Sequence, residues 1–182
     1  MKELTERCVW EILEHEAIVQ EAYKDSVGVW TWGVGVTDRS GHKVGRYKDN
    51  PQTIERCLEI YIWLLRTHYL PEVLKAFKTY ELKEHELAAA LSFHYNTGAI
   101  LHSSWVRAVL ADDRATAQKE FMEWCHPKEI ISRRKSERDL FFNGHWTSDG
   151  VVIVYPVRKP SYSPDWRHAK MVNVKEAVRN AM

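Results

Sequence analysis

Between positions 5 and 16 the apolar residues recur at helical spacing. Val9, Ile12 and Leu13 share one face and the next position on that stripe is Glu16, so an amphipathic helix from about Thr5 is expected to carry an acid at the end of its core face. The period then falls to two. Between Ala22 and Val36, one strand face takes Trp30, Trp32, Val34 and Val36 and the other Val29, Thr31, Gly33 and Gly35, with Ser26 to Gly28 as turn material; this predicts a β-hairpin or short ribbon. On that parity Thr31 stands on a face cleared of side chains by two glycines, a floor on which a flat sugar ring could lie.

The polar run TDRSGHKVGRYKDNP leads to Asn50 and Pro51, which have N-cap and first-turn chemistry for a long helix to about Tyr69, with Ile54, Leu58, Tyr61 and Leu65 turned inward. Pro71 restarts the chain in a short helix through Phe77, and EHELAAALSFHYNTG reads as the central core helix, capped at Gly98. Further helices are expected from Ser104 to Leu110, from Asp113 to Trp124, and through IISRRKSERDLFFNG to Gly144. Beyond it SDGVVIVYPVRKPSYSP is β-branched and proline-bearing, suiting a strand entered through an Asp149-Gly150 turn, and an amphipathic piece follows from Val174. The order of elements predicts an α+β, mainly α class with two parts. Residues 1–145 form a main domain, and residues 146–182 a small C-terminal appendage, a strand plus a short helix, packed on it. An edge strand there is favoured over a wall-contacting surface that would use Tyr162 and Trp166.

Composition narrows the function classes. The 182 residues are 45% hydrophobic and 28% charged with a net charge of +1, which leaves no strong overall footprint for nucleic acid or an anionic bilayer. Eight tryptophans exceed what packing alone requires in a chain of this size. The amino-terminal stretch MKELTERCVWEILEHE is interrupted by charges every few residues, so neither a signal peptide nor a membrane span is expected, and the chain reads as made soluble in the cytoplasm without membrane insertion. Cys8, Cys57 and Cys125 are widely spaced and are read as reduced, buried thiols. No ligand cluster with metal spacing stands out, and no cofactor is expected.

The candidate chemistry lies in the first forty residues. Burial at the end of an apolar stripe would raise the pKa of Glu16 into the range of a general acid, whereas Asp25, beside Lys24 and Ser26 in a polar turn, would stay ionised. Two carboxylates in contrasting settings suit cleavage of a glycosidic bond. On spacing and placement alone, helix capping and solvated surface are the more ordinary explanation of such a set. The pattern Glu16, eight residues, Asp25, five residues, Thr31, then GVGV at 33–36 resembles the phage-type lysozyme, or endolysin, family of glycoside hydrolases, whose signature ends in Gly-x-Gly-His. LSFHYNTGA at 91–99 and SRRKSERDLFF at 132–142 are similar to two further family segments, so the resemblance runs over about residues 5–145. Val36 stands where the family has its His.

The resemblance implies a two-lobed fold, a small β-hairpin lobe and a helical lobe joined by the long helix. It implies a muramidase that hydrolyses the β-1,4 bond between N-acetylmuramic acid and N-acetylglucosamine. Glu16 would be the general acid, Asp25 the carboxylate that positions or activates water and offsets developing charge, and Thr31 a water-orienting hydroxyl, with inversion expected. Asn96, Arg134 and Trp124 are candidate substrate-binding residues. Asn96 could equally cap its helix, Arg134 could pair with Glu16 or leave that to Arg133 or be an exposed helix charge, and Trp124, like Trp105, could be core. His94 reads as a satisfied core histidine. The expected partner is bacterial peptidoglycan in the periplasm or cell wall, reached by a monomer with holin-dependent release, and no nucleic acid. Two other readings are a non-catalytic wall-binding or virion structural module and a chitinase-like enzyme.

Overall fold

The computed structural model describes residues 2–182. Helix α1 (Glu6–Leu13) buries Cys8, Val9, Ile12 and Leu13, as the periodicity requires, but it stops there. Glu16 is therefore not the last residue of the helical stripe. It lies in the turn that follows, where its backbone N–H donates to the Leu13 carbonyl at 3.0 Å, because the chain must leave the helix to start β1 (Ile18–Lys24) two residues later.

The chain divides into two compact units, one holding the chain up to Ile12 with Leu65–Thr147, the other Leu13–Leu64 with Ser148–Met182. The second unit is built on β1. β2 (Trp30–Gly33) runs antiparallel to it, and β3 (Val36–Thr37) returns along β2 with Trp32 opposite Val36. Gly33 and Gly35 do not extend a flat strand face. Both have positive φ, +63° and +67°, and turn the chain between β2 and β3, a conformation that disfavours any Cβ. A Cβ on Gly33 would also meet Cys57 Cβ at 3.6 Å, so the hairpin packs on helix α2 (Ile54–Leu64), which buries Cys57, Leu58, Tyr61 and Ile62. That helix starts at Ile54 and is capped by Thr53, whose Oγ1 accepts the Arg56 N–H at 3.1 Å; Asn50, the expected cap, instead bonds the Arg46 carbonyl.

In the other unit the helical run continues through a π-helical stretch, Leu65–Tyr69, into α3 (Leu70–Ala76). The central helix is α4 (Glu84–Thr97), buried from Glu86 to His94 and closed by Gly98 in the left-handed conformation. Around it lie α5 (Ser104–Leu110), α6 (Arg114–Met122), entered through the Asp113 side chain on the Thr116 N–H, and α7 (Ile131–Asn143). Trp105 is fully buried between Phe93 and Phe121, at 5.2 and 4.6 Å between ring centroids, and so is core.

The chain after Ser148 returns to the first sheet. The Asp149 side chain accepts the Val151 N–H at 2.9 Å and starts β4 (Val151–Tyr155), which lies parallel to β1. After a ribbon of β5 (Val157–Arg158) and β6 (Ser163–Pro164), β7 (Lys170–Asn173) pairs with β4, giving the order β3-β2-β1-β4-β7. Helix α8 (Lys175–Ala181) packs on α2. Residues past 148 thus carry four strands and a helix.

Two buried polar sites organise the helical unit. Arg134 and Glu137 of α7 are 0% and 1% exposed and are ion-paired, and Glu137 also accepts Arg133 Nε at 2.8 Å and Ser92 Oγ at 2.5 Å from α4. Removing one partner of a buried pair strands the other's charge. Glu137→Ala is expected to cost about 3–5 kcal/mol in urea unfolding, whereas Ser92→Ala costs about 1 kcal/mol. His94 is the second site. Its Nε2 meets Glu72 Oε2 at 2.7 Å while its buried Nδ1 has no hydrogen-bond partner among the described residues, and burial lowers its pKa from 6.5, more than Glu72 restores. The unfolded chain therefore binds this proton at a higher pH than the folded one. Stability should fall as pH drops below about 6.5, and His94→Gln should flatten that dependence in unfolding curves taken from pH 7 to 5.

Candidate active site

Asp25 follows β1 directly and builds the turn to β2. Its Oδ1 accepts the N–H groups of Val27 and Val29 at 3.0 and 2.8 Å, while its own N–H donates to the Val29 carbonyl at 3.0 Å. One carboxylate oxygen thus holds the turn, and Oδ2 takes no hydrogen bond among the described residues. Thr31, two residues past the turn, is buried and donates its hydroxyl proton to the Val29 carbonyl at 3.1 Å. The oxygen of that hydroxyl remains an acceptor.

Register links these groups. Tyr23 pairs with Thr31 across the two strands, and directly opposite residues project to the same face, as do residues two apart on one strand. Tyr23, Asp25 and Thr31 are brought to one side of the ribbon in this way. Tyr23 also reports on Glu16. Its phenol is pushed up to about 12, first by burial, then by the carboxylates of Glu16 and of Asp25, so both acids act on a single hydroxyl that stays protonated. The sequence reading missed Tyr23 because a tyrosine in an apolar strand looks like core; the signal available was its place two residues before Asp25.

Acid, turn acid and threonine in this order and unit lead to a comparison with known proteins. The phage lysozyme family profile matches residues 13–137. The chain belongs to that family. Among solved structures it is similar to the endolysin from Escherichia coli O157:H7 phage FAHEc1, at 22% identity and TM-score 0.71 over 80% of this chain and 97% of that one. A P22 lysozyme mutant aligns at 23% identity and TM-score 0.65, over 79% of this chain and 100% of the other. The muramidase domain of SpmX from Asticaccaulis excentricus gives 24% and 0.59, over 79% and 99%. At these identities the likeness is one of fold. A search of curated protein sequences finds no match.

The remaining candidates lie in the helical unit. Asn96, exposed at the end of α4, and half-buried Trp124 line one cavity of about 350 Å³ with Thr97, Glu123, His126 and Ile130. The Asn96 side chain is engaged elsewhere than at its helix end; its Oδ1 accepts Arg134 Nη2 at 2.6 Å, and its amide nitrogen is a donor. Arg134 itself is corrected as a substrate contact. It is neither exposed nor open, since Nε donates to the Trp124 carbonyl at 2.9 Å, Nη1 to Glu137, and the guanidinium lies 4.8 Å from the Phe93 ring centroid. Burial lowers its pKa and Glu137 opposes that. Arg134 holds the two cavity residues from behind. Val36 is buried opposite Trp32, whose ring stacks on Tyr47 at 3.9 Å, so an apolar side chain fits that position.

The double role of Asp25 can be tested. Asp25→Asn keeps an oxygen for both turn N–H groups and should leave unfolding free energy within about 1 kcal/mol of wild type, whereas Asp25→Ala should lose about 1–2 kcal/mol in urea denaturation.

Proposed function

We propose that the chain is a muramidase that hydrolyses the β-1,4 bond between N-acetylmuramic acid and N-acetylglucosamine in bacterial peptidoglycan. The observation that carries this reading is the pairing of Thr31 with Tyr23, two residues before Asp25, so that threonine and turn acid share one side of the ribbon, in a chain of the phage lysozyme family; Glu16 and Asp25 both push the Tyr23 phenol up. Glu16 protonates the glycosidic oxygen as the bond to the sugar C1 breaks. Asp25 Oδ2 accepts a proton from the water whose oxygen bonds to C1, and its charge offsets the positive charge that develops on the ring. The Thr31 oxygen, its own proton engaged with Val29, accepts the second water hydrogen and orients the nucleophile. Water entering opposite the leaving group inverts the configuration. Within the helical unit by itself, Asn96 and Trp124 offer an amide donor and an aromatic face to which a sugar could bind.

Muramidase activity is read from turbidity of outer-membrane-permeabilised Gram-negative cells. A positioned general acid contributes about 10²–10⁴-fold. Glu16→Gln and Asp25→Asn should each lower the clearing rate by at least about a hundredfold without loss of fold. Clearing by Glu16→Gln at the wild-type rate would sink the assignment of the acid. Mass analysis of the products should show free reducing muramic acid; anhydro ends or released stem peptides would point to a transglycosylase or an amidase instead.

A further inference from the structure

The family match ends at residue 137, yet the sheet continues through β4 and β7 with a face whose exposure the core does not explain. In register, Ile153 lies opposite Met171 and Val152 opposite Val172. Val152 and Val154 point inward and are buried, whereas Ile153 is 36% and Met171 66% exposed. Tyr155, two residues on from Ile153 and so on the same side, meets Trp166 in an edge contact at 4.7 Å between centroids, and Trp166 is 66% exposed. A cross-strand aliphatic pair and an aromatic pair thus share one outward surface.

The charge around it is one-sided. Positions 150–173 hold Arg158, Lys159, Arg167 and Lys170 against a single acid, Asp165. Asp165 is already engaged by His168 Nδ1 at 2.7 Å and the Arg167 N–H at 3.3 Å. Lys159 is turned to Glu21 and Asp49. Arg158 and Arg167 are exposed; Lys170 is exposed too but pairs with Val154 and so belongs to the other face of the sheet, and the overall charge of +1 conceals this local excess.

We infer that the β4–β7 face is a peripheral docking surface for an anionic phospholipid bilayer. Tryptophan and tyrosine suit the headgroup level, methionine and isoleucine the region just below it, and exposed cations the phosphates. The cross-strand Ile153–Met171 pair suits an acyl boundary better than a glycan, which stacks on rings. The contact lies on the membrane rather than across it, since no helix among the described residues is long and apolar enough to span. It does not depend on the hydrolytic reading.

The test is cosedimentation of the full-length protein with phosphatidylglycerol–phosphatidylcholine vesicles, with pure phosphatidylcholine vesicles and purified peptidoglycan sacculi as the other arms. Each Lys or Arg near an anionic leaflet raises partitioning about fivefold. Wild type should bind the anionic vesicles, release on added salt, and ignore the zwitterionic ones. Arg158→Gln with Arg167→Gln should weaken binding at least about twentyfold, and Trp166→Ser with Met171→Ser should do so comparably, both at unchanged thermal midpoint. The charge variant, altered only at exposed positions, decides the matter if the apolar variant unfolds. Absence of wild-type binding to anionic vesicles, equal binding by wild type and the charge variant, or loss of sacculus binding alone in these variants overturns the inference.

Discussion

One carboxylate oxygen sets the geometry on which the proposed chemistry depends. Asp25 Oδ1 gathers two backbone N–H groups and so fixes where β1 ends and β2 begins. A shift of one residue in that turn would move Thr31 to the opposite face from Tyr23 and Asp25, because strand side chains alternate. The turn therefore does more than connect two strands. It makes a single residue responsible both for the register of the ribbon and for one of the two acids.

The helical unit repeats that economy with Arg134. A guanidinium with a fixed fork of donors can orient several groups at once, and here it reaches a carboxylate on its own helix, an amide on α4 and a carbonyl after α6. Glu137 in turn binds Arg133 and Ser92. The cost of burying these charges is offset only because each has a partner of opposite sign or a hydrogen bond. In the cavity beside them, the rigidity of Asn96 follows from a residue that never reaches the surface.

Local periodicity made most helices legible. The spacing of Ile54, Leu58 and Tyr61, the alanine-rich run of α4 and the glycine after it are signals held within a few turns of chain. What failed was anything set by neighbours distant in sequence. The stripe through Leu13 gave no warning that the next strand would begin at Ile18, and strand parity through Gly33 and Gly35 assumed an extended backbone where φ is positive. The parallel pairing of β1 with β4 joins residues more than 130 positions apart, which no window can detect. Arg134 read as a substrate contact or a partner for Glu16 because Asn96, which it binds, lies on another helix. Glu16, Asp25 and Thr31 stood out through the family resemblance, while Tyr23, paired with Thr31, was hidden among ordinary strand residues.

The packing of Cys57 behind Gly33 has a practical meaning. Burial pushes its thiol up to about 12 and that of Cys8 to about 11, so at neutral pH both lack the thiolate form through which cysteines react. Cys125 is only half-buried. Toward an alkylating probe, a chain with three thiols behaves as though it had one, a ready attachment point for a fluorophore next to the Asn96 and Trp124 cavity.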